Sequence, residues 1–240
     1  MRIALFGDIH ANLEALEAVL ADAANQGVTD YVCMGDIVGY NADPAACLER
    51  VRAMDCPTVK GNHDEDASGS HSLDSMNPVA AAALEWTRQQ LSDEQRTWLS
   101  KLRMVRQVSD FTVVHSTLDQ PAHWNYVTNR FDAMSNFSYQ FTQVCFHGHT
   151  HVPRVYVKSD RVQEVPAESV AIEDGSKYFI NVGSVGQPRD GDWRGCYAIF
   201  DLDHKVVVFR RVEYDIAKTQ EKILAAGLPQ MLAERIAEGR

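Results

Sequence analysis

The chain has 240 residues, 45% of them hydrophobic and 23% charged, with a formal net charge of −10. That length buries enough apolar surface to fold without a disulfide or metal staple. The acidic balance argues against broad binding to nucleic acid or an anionic membrane, which needs a basic face, but allows a phosphorylated ligand, because bound cations reverse the local sign.

In chain order, a short apolar strand at 2–6 turns at Gly7. Leu13, Leu16, Val19 and Leu20 recur at helical spacing, which predicts an amphipathic helix over 12–26 that stops at Gly27. A strand at 31–34 runs into Gly35-Asp36, a helix at 44–53 opens on Pro44, and a third strand at 58–60 reaches Gly61-Asn62. This β-α-β-α-β order predicts a parallel sheet with right-handed crossovers. Asp8, Asp36 and Asn62-His63 then lie just past C-terminal strand ends, the edge where open α/β sheets bind ligands.

Residues 65–77 are polar and read as a loop, and 78–102 reads as a helical excursion with a start signal at Ser92-Asp93-Glu94-Gln95. Paired strands are expected at 105–108 and 111–115, an irregular aromatic segment at 119–128, and a short helix at 129–140. Strands dominate from 143 onward, at 144–146, 152–157, 162–165, 178–182, 196–201 and 206–212. Closing helices fall at 216–226 and 229–238, and no linker or repeat interrupts the chain, so one domain is expected over 1–240. Cys33, Cys47, Cys56, Cys145 and Cys196 are an odd number without a C-x-x-C pair and read as buried reduced thiols. The opening MRIALFGD is too short for a signal peptide, and no run approaches the ~18 apolar residues of a membrane span, so a reducing cytoplasm is the expected location.

Five segments end in metal-ligand chemistry: Gly7-Asp8-Ile9-His10, Gly35-Asp36, Gly61-Asn62-His63-Asp64, His115 closing an apolar run, and Gly148-His149-Thr150-His151. Each alone reads as a turn or a core histidine. Jointly they supply carboxylates, imidazoles and an amide, a ligand set for two divalent metals, and point to hydrolysis of a phosphate ester. If the backbone stays extended, Asp8 and His10 share a face and grip one ion, while Asp36 has two oxygens and can bridge two. Such a mixed oxygen and nitrogen set suits Mn²⁺, Fe or Zn²⁺ better than Ca²⁺ or Mg²⁺.

In this order, as GDIH, GD, GNHD, VVH and GHTH, the segments resemble the calcineurin-like metallophosphoesterases over nearly the whole chain. INVGSVGQPRDGD and AAGLPQMLAERIAEGR add a likeness to the compact bacterial and archaeal phosphodiesterases and dinucleoside-polyphosphate hydrolases. The resemblance implies an α/β fold, a four-layer αββα sandwich of two mixed β-sheets flanked by helices. It implies two divalent ions, Mn²⁺ first, with Fe, Zn²⁺ or Ni²⁺ as alternatives. Asp8, His10, Asp36 and His151 would surround one ion, and Asp36, Asn62, His115 and His149 the other. His63 matches the catalytic histidine and Asp64 the acid that orients it. The chain departs from the family pattern at Ser116, where glycine is common, and at Val182 within Asn181-Val182-Gly183, where proline is.

Two anionic ligands against two divalent ions leave a surplus of positive charge, which would attract a phosphoester and activate a bridging hydroxide. His63 would protonate the leaving oxygen. Arg189 is a candidate for a further phosphate contact, because arginine suits bidentate recognition; Asp190 beside it is the competing partner. Trp124 and Tyr126 could stack on a base or simply anchor a loop. His147 lies outside the family pattern and is expected to face a neighbouring part of its strand, while His71, His123 and His204 read as solvated or structural. The expected function is hydrolysis of small phosphodiesters or dinucleoside polyphosphates, with a phosphomonoesterase or protein phosphatase as the alternative and a non-catalytic scaffold as the contrasting class. No long nucleic acid or membrane is expected as partner, and an oligomer is compatible with the sequence.

Overall fold

Residues 1–70, 72–74 and 76–240 are described by the computed structural model; the expectation for His71 lies outside them. The first sheet has five strands, ordered β2(Asp30–Cys33)-β1(Arg2–Phe6)-β10(Gly195–Asp201)-β11(Val206–Val212)-β8(Ser169–Ala171). The second has six, ordered β3(Val105–Val108)-β4(Phe111–Val114)-β5(Val144–His147)-β9(Lys177–Asn181)-β6(Arg154–Lys158)-β7(Val162–Val165). Both are mixed: β1 pairs β2 in parallel but β10 antiparallel, and β5 is parallel to β4 and β9 while β6 runs against β9.

Side-chain alternation assigns the layers. Ile3 and Leu5 of β1, Ala198 and Phe200 of β10, and Val144, Phe146, Tyr178 and Ile180 of the second sheet share one core between the sheets. The residues between them point the other way: Ala4, Phe6, Tyr197 and Ile199 pack against Leu16, Val19 and Leu20 of α1(Leu13–Asn25) and Leu48 and Val51 of α2(Pro44–Ala53). On the far side, Cys145 and Phe179 meet Ala133 and Phe137 of α6(Arg130–Tyr139). A period of two therefore sends alternate residues into different layers, and the result is the expected four-layer αββα sandwich. Because β10 is covered on both faces, it reads as a continuous apolar run.

Local signals explain most boundaries. Asn12 caps α1 by accepting from the Ala15 N–H, and Ser92 and Gln95 close a reciprocal capping box on α5(Asp93–Ser100). That box splits the excursion expected over 78–102 into α4(Pro78–Gln90) and α5. The strand expected at 58–60 is reduced to single parallel pairs, Cys33 with Thr58 and Val59 with Arg103; Pro57 has no N–H to extend the ladder. Two elements escaped the sequence reading. The helix α3(Asn62–Ser68) is too polar to show an apolar period, and β8 is a three-residue edge strand. At the end of the chain, α7(Ile216–Ala225) and α8(Gln230–Glu238) pack with α4 through Ala83, Ile223, Leu232, Ala233 and Ile236. All five cysteines are unbridged and four are buried, and among the described residues no helix is long and apolar enough to cross a membrane.

Candidate metal centre

The strand ends of both sheets converge on one buried cluster. Asp8 follows β1, Asp36 follows β2, His115 follows β4, and His149 and His151 follow β5. Potential ligand atoms of Asp8, His10, Asp36 and His151 lie within 4.8 Å of one another, as do those of Asp36, His115 and His149. Asp36 belongs to both groups, and all six residues are buried. Asn62, at the start of α3, has its side-chain oxygen buried without a hydrogen-bond partner.

The backbone reaches this arrangement by a route the sequence did not suggest. Asp8, His10, Asp36, His149 and His151 all have left-handed φ, between 48° and 71°. The extended geometry expected for Asp8 and His10 is therefore replaced by tight turns. Hydrogen bonds to the neighbouring strand-end loop hold them: Asp8 N–H to Gly35 O, His10 N–H to Asp36 O and Ala11 N–H to Ile37 O, each 2.9 Å. Left-handed backbone costs about 1–2 kcal/mol per non-glycine residue, and strain of this kind concentrates at functional sites. Two glycines permit the close approach of the turns. A Cβ at Gly61 would lie 2.1 Å from Asp36 Oδ1, and one at Gly148 would lie 2.4 Å from Asp8 Oδ2.

The donor chemistry fits a divalent cation. His10 Nδ1 lies 3.2 Å from Val38 O, His151 Nδ1 2.6 Å from Gln187 O and His115 Nδ1 2.7 Å from Met34 O. Each ring then donates Nδ1–H to a carbonyl and turns Nε2 inward, the support that metal-bound imidazoles usually have. His149 is reversed: its Nε2 meets Trp124 O at 2.8 Å, leaving Nδ1 as the free nitrogen. The Nε2 atoms of His10 and His151 face each other at 3.0 Å, and His115 Nε2 is buried without a partner. Two lone pairs at that separation repel unless a cation lies between them.

Electrostatics agree. Burial pushes Asp8 up to about 7 against the pull of His115. Burial also works to raise Asp36, but His115 and His63 hold its carboxyl well below the usual range. Burial would lower His115, yet Asp36 outweighs it and raises the imidazole to about 9. Burial drives His10 and His151 well below the ordinary imidazole range and His149 down to about 3. Those three nitrogens are bare at neutral pH, as coordination requires, and a divalent cation competes with protons for the rest of the cluster.

His63 stands beside the cluster, its ring edge-on to His10 at 4.8 Å and against Tyr40 at 4.5 Å. Its Nδ1 is buried against Gly39 without a partner. Asp64, expected to orient that ring, does something else. Its oxygens accept from the main-chain N–H groups of Asp36, Ile37 and Gly61 at 2.8, 2.9 and 3.0 Å. The α3 helix turns Asp64 toward the Asp36 loop, so it props a turn rather than a ring.

The remaining candidates separate clearly. His147 is buried and stacked on Phe179 at 4.1 Å, outside both ligand groups. His123 and His204 are exposed, and His204 lies 3.0 Å from Asp201. Tyr126 stacks on His149 at 4.2 Å and is 55% exposed, so it forms a wall of the site. Arg189 reaches Gln187 Oε1 at 3.0 Å, while Asp190 pairs with Arg211 instead. Sequence reasoning missed Tyr40, which packs on His10 at 4.7 Å, and Asn181, which donates to Gly148 O at 2.6 Å and so braces the histidine loop. The Asn181-Val182-Gly183 segment had flagged the latter position, but Tyr40 carries no local signal beyond the preceding glycine.

The calcineurin-like phosphoesterase superfamily domain matches residues 1–205 of this chain. The chain belongs to that superfamily. A metallophosphoesterase from Sphaerobacter thermophilus superimposes with a TM-score of 0.88 at 44% identity, covering 100% of this chain and 99% of the other. An uncharacterized protein of Methanocaldococcus jannaschii, MJ0912, is 39% identical over 243 residues, 99% of this chain and 98% of that protein. The hypothetical protein PH1004 from Pyrococcus horikoshii shares the fold, with a TM-score of 0.81 at 18% identity over 100% and 98% of the two chains. Calcineurin-like membership together with a buried cluster of aspartates and histidines indicates a metal-dependent phosphoester hydrolase.

Proposed function

We propose that this protein is a dinuclear metal-dependent phosphodiesterase acting on small phosphodiesters or dinucleoside polyphosphates in a reducing compartment. The observation that carries the reading is Asp36, shared by two converging groups of buried ligands. Asp8, His10, Asp36 and His151 would hold one divalent ion, and Asp36, Asn62, His115 and His149 the other, with Mn²⁺ the favoured metal. The ions would polarise the phosphoryl oxygens and acidify the attacking water.

The chain's own residues then divide the remaining work. His63 has its Nδ1 against Gly39, which leaves Nε2 to hand a proton to the leaving oxygen. Tyr40 covers His10 and His63 and excludes water from that side. Arg189 adds a guanidinium beside the cluster, where a phosphate oxygen can meet it in bidentate fashion. Asp64 keeps the Asp36 turn in register through three main-chain hydrogen bonds.

The test is a substrate panel on purified protein loaded with Mn²⁺: a nitrophenyl monoester, a bis-nitrophenyl diester and diadenosine tetraphosphate, with metal content measured in parallel. Two metal equivalents and faster turnover of diesters or dinucleotides are expected. A dominant monoesterase rate would replace the substrate class, and no activity at full metal loading would favour a binding scaffold.

A further inference from the structure

Two arginines meet beside the cluster with no Asp or Glu side chain paired to either. Arg189 comes from the loop after β9, and Arg235 comes from α8, outside the matched family domain. Each guanidinium carbon lies 5.8 Å from the centre of the Tyr40 ring. Among the described residues neither pairs with an Asp or Glu side chain; the nearby Asp190 is taken by Arg211. Arg189 reaches only Gln187 Oε1 at 3.0 Å and the Tyr40 hydroxyl at 3.5 Å, and its Nε is buried without a partner. Arg235 donates from Nε to the main-chain oxygen of Arg240 at 2.7 Å.

The fold forces this meeting. Leu232, Ala233 and Ile236 bury one face of α8 in a cluster against which Tyr40 and Ala42 also pack. The Gly191 N–H donates to Gly239 O at 3.0 Å, which ties the loop carrying Arg189 to the end of α8. Both arginines keep part of their surface exposed. Two like charges held over one ring repel, and burial together with Arg189 lowers the proton affinity of Arg235. In a chain with 33 acidic and 23 basic residues, carboxylates to neutralise them are plentiful elsewhere. An anion supplied from outside could bridge the two guanidinium groups, which no Asp or Glu side chain among the described residues does.

We propose that Arg189 and Arg235 bind a second phosphoryl group of the substrate, so that the preferred substrates carry a phosphate chain. This rests on the phosphoesterase reading above. Tyr40 contacts His10 and His63 on one side and both arginines on the other. A chain with its scissile phosphate at the metal cluster therefore lays its neighbouring phosphate across Tyr40. A simple diester has nothing to offer this pair.

The test compares wild type, R235Q and R235K as full-length, Mn²⁺-loaded proteins of matched metal content and melting temperature. Calorimetry gives the ratio of inorganic tripolyphosphate affinity to orthophosphate affinity, independently of turnover. R235Q should lower that ratio at least about tenfold, the loss of one charge-assisted contact, and R235K should recover part of it. The kcat/KM for diadenosine tetraphosphate relative to bis-nitrophenyl phosphate should fall similarly, mainly through KM. An unaltered affinity ratio in R235Q, or an equal loss in R235K, overturns the proposal. If wild type hydrolyses none of the substrates, the phosphoesterase reading fails while the affinity ratio still decides the role of the arginines.

Discussion

The Asp64 carboxylate sits on the main-chain N–H of Asp36 at 2.8 Å, and so supports from behind the one residue common to both buried groups. Its other oxygen takes the Ile37 N–H at 2.9 Å. Replacing Asp64 by alanine strands three buried N–H donors, counting that of Gly61. The expected cost is about 2–4 kcal/mol of stability, since each unsatisfied buried donor costs on the order of 1 kcal/mol or more. Metal content should fall together with stability. Full metal occupancy with only a lower turnover would restore Asp64 to the role of ring orienter.

His63 leads to the opposite expectation. It lies outside both ligand groups, although its main-chain N–H donates to Asp36 Oδ1 at 2.8 Å. Alanine keeps that N–H and removes only the ring. H63A should retain both metals while kcat drops by about 10²- to 10⁴-fold, the usual worth of a general acid. Metal analysis beside steady-state kinetics checks this, and a wild-type rate would remove His63 from the mechanism.

Gly61 tests the close packing of the turns. A Cβ there would lie 2.1 Å from Asp36 Oδ1 and 2.4 Å from the Asp36 main-chain N, so rotating a side chain cannot relieve the contact. G61A should displace Asp36 and lose metal at both positions. A change at Gly27 serves as the control, because its positive φ of 72° has no neighbour within 4 Å. G27A should cost about 1 kcal/mol of backbone strain and leave metal binding alone. Equal metal content in the two variants would show that the turn tolerates a side chain.

Asp22 supplies a pH dependence far from the cluster. Arg210 grips it with Nε at 3.0 Å and Nη2 at 2.8 Å, and the Tyr197 hydroxyl donates at 2.7 Å. Burial works to raise its pKa, but these donors hold the carboxyl below its usual value. A depressed carboxylate stabilises the fold above its unfolded pKa of about 3.9, and that contribution is lost as pH falls through the folded value. D22N should therefore cost about 1–2 kcal/mol at pH 7. The penalty should shrink at acid pH, as the wild-type carboxyl in turn becomes protonated on passing its depressed folded value. Denaturant unfolding at neutral and at acid pH checks it; an equal penalty at both would exclude the charge as the cause.

Much of this protein was readable residue by residue. Leu13, Leu16, Val19 and Leu20 announced α1, Ser92 and Gln95 announced a helix start, and the short apolar run at 2–6 announced β1. The five ligand-bearing segments were visible because ligand type and the adjoining glycines are properties of a few consecutive residues. Helix α3 was invisible, since Asn62 to Ser68 carries no apolar period and is stabilised instead by Asp64 reaching its own first turn. The extended geometry expected at Asp8 and His10 failed because partners on the Asp36 loop pull both into left-handed turns.

The candidate ligand types, their strand-end placement and the family were thus legible in the sequence alone, because each depends on local chemistry and local period. Tertiary structure alone decided which nitrogen each histidine turns inward, since distant carbonyls such as Met34 O, Gln187 O and Trp124 O hold the other one. It also gave Asp64 a loop instead of a ring, and it brought Arg235 across nearly the whole chain to share Tyr40 with Arg189. Hydrogen-bond partners and charge neighbours are set by which surfaces pack together, and no window of consecutive residues contains that information.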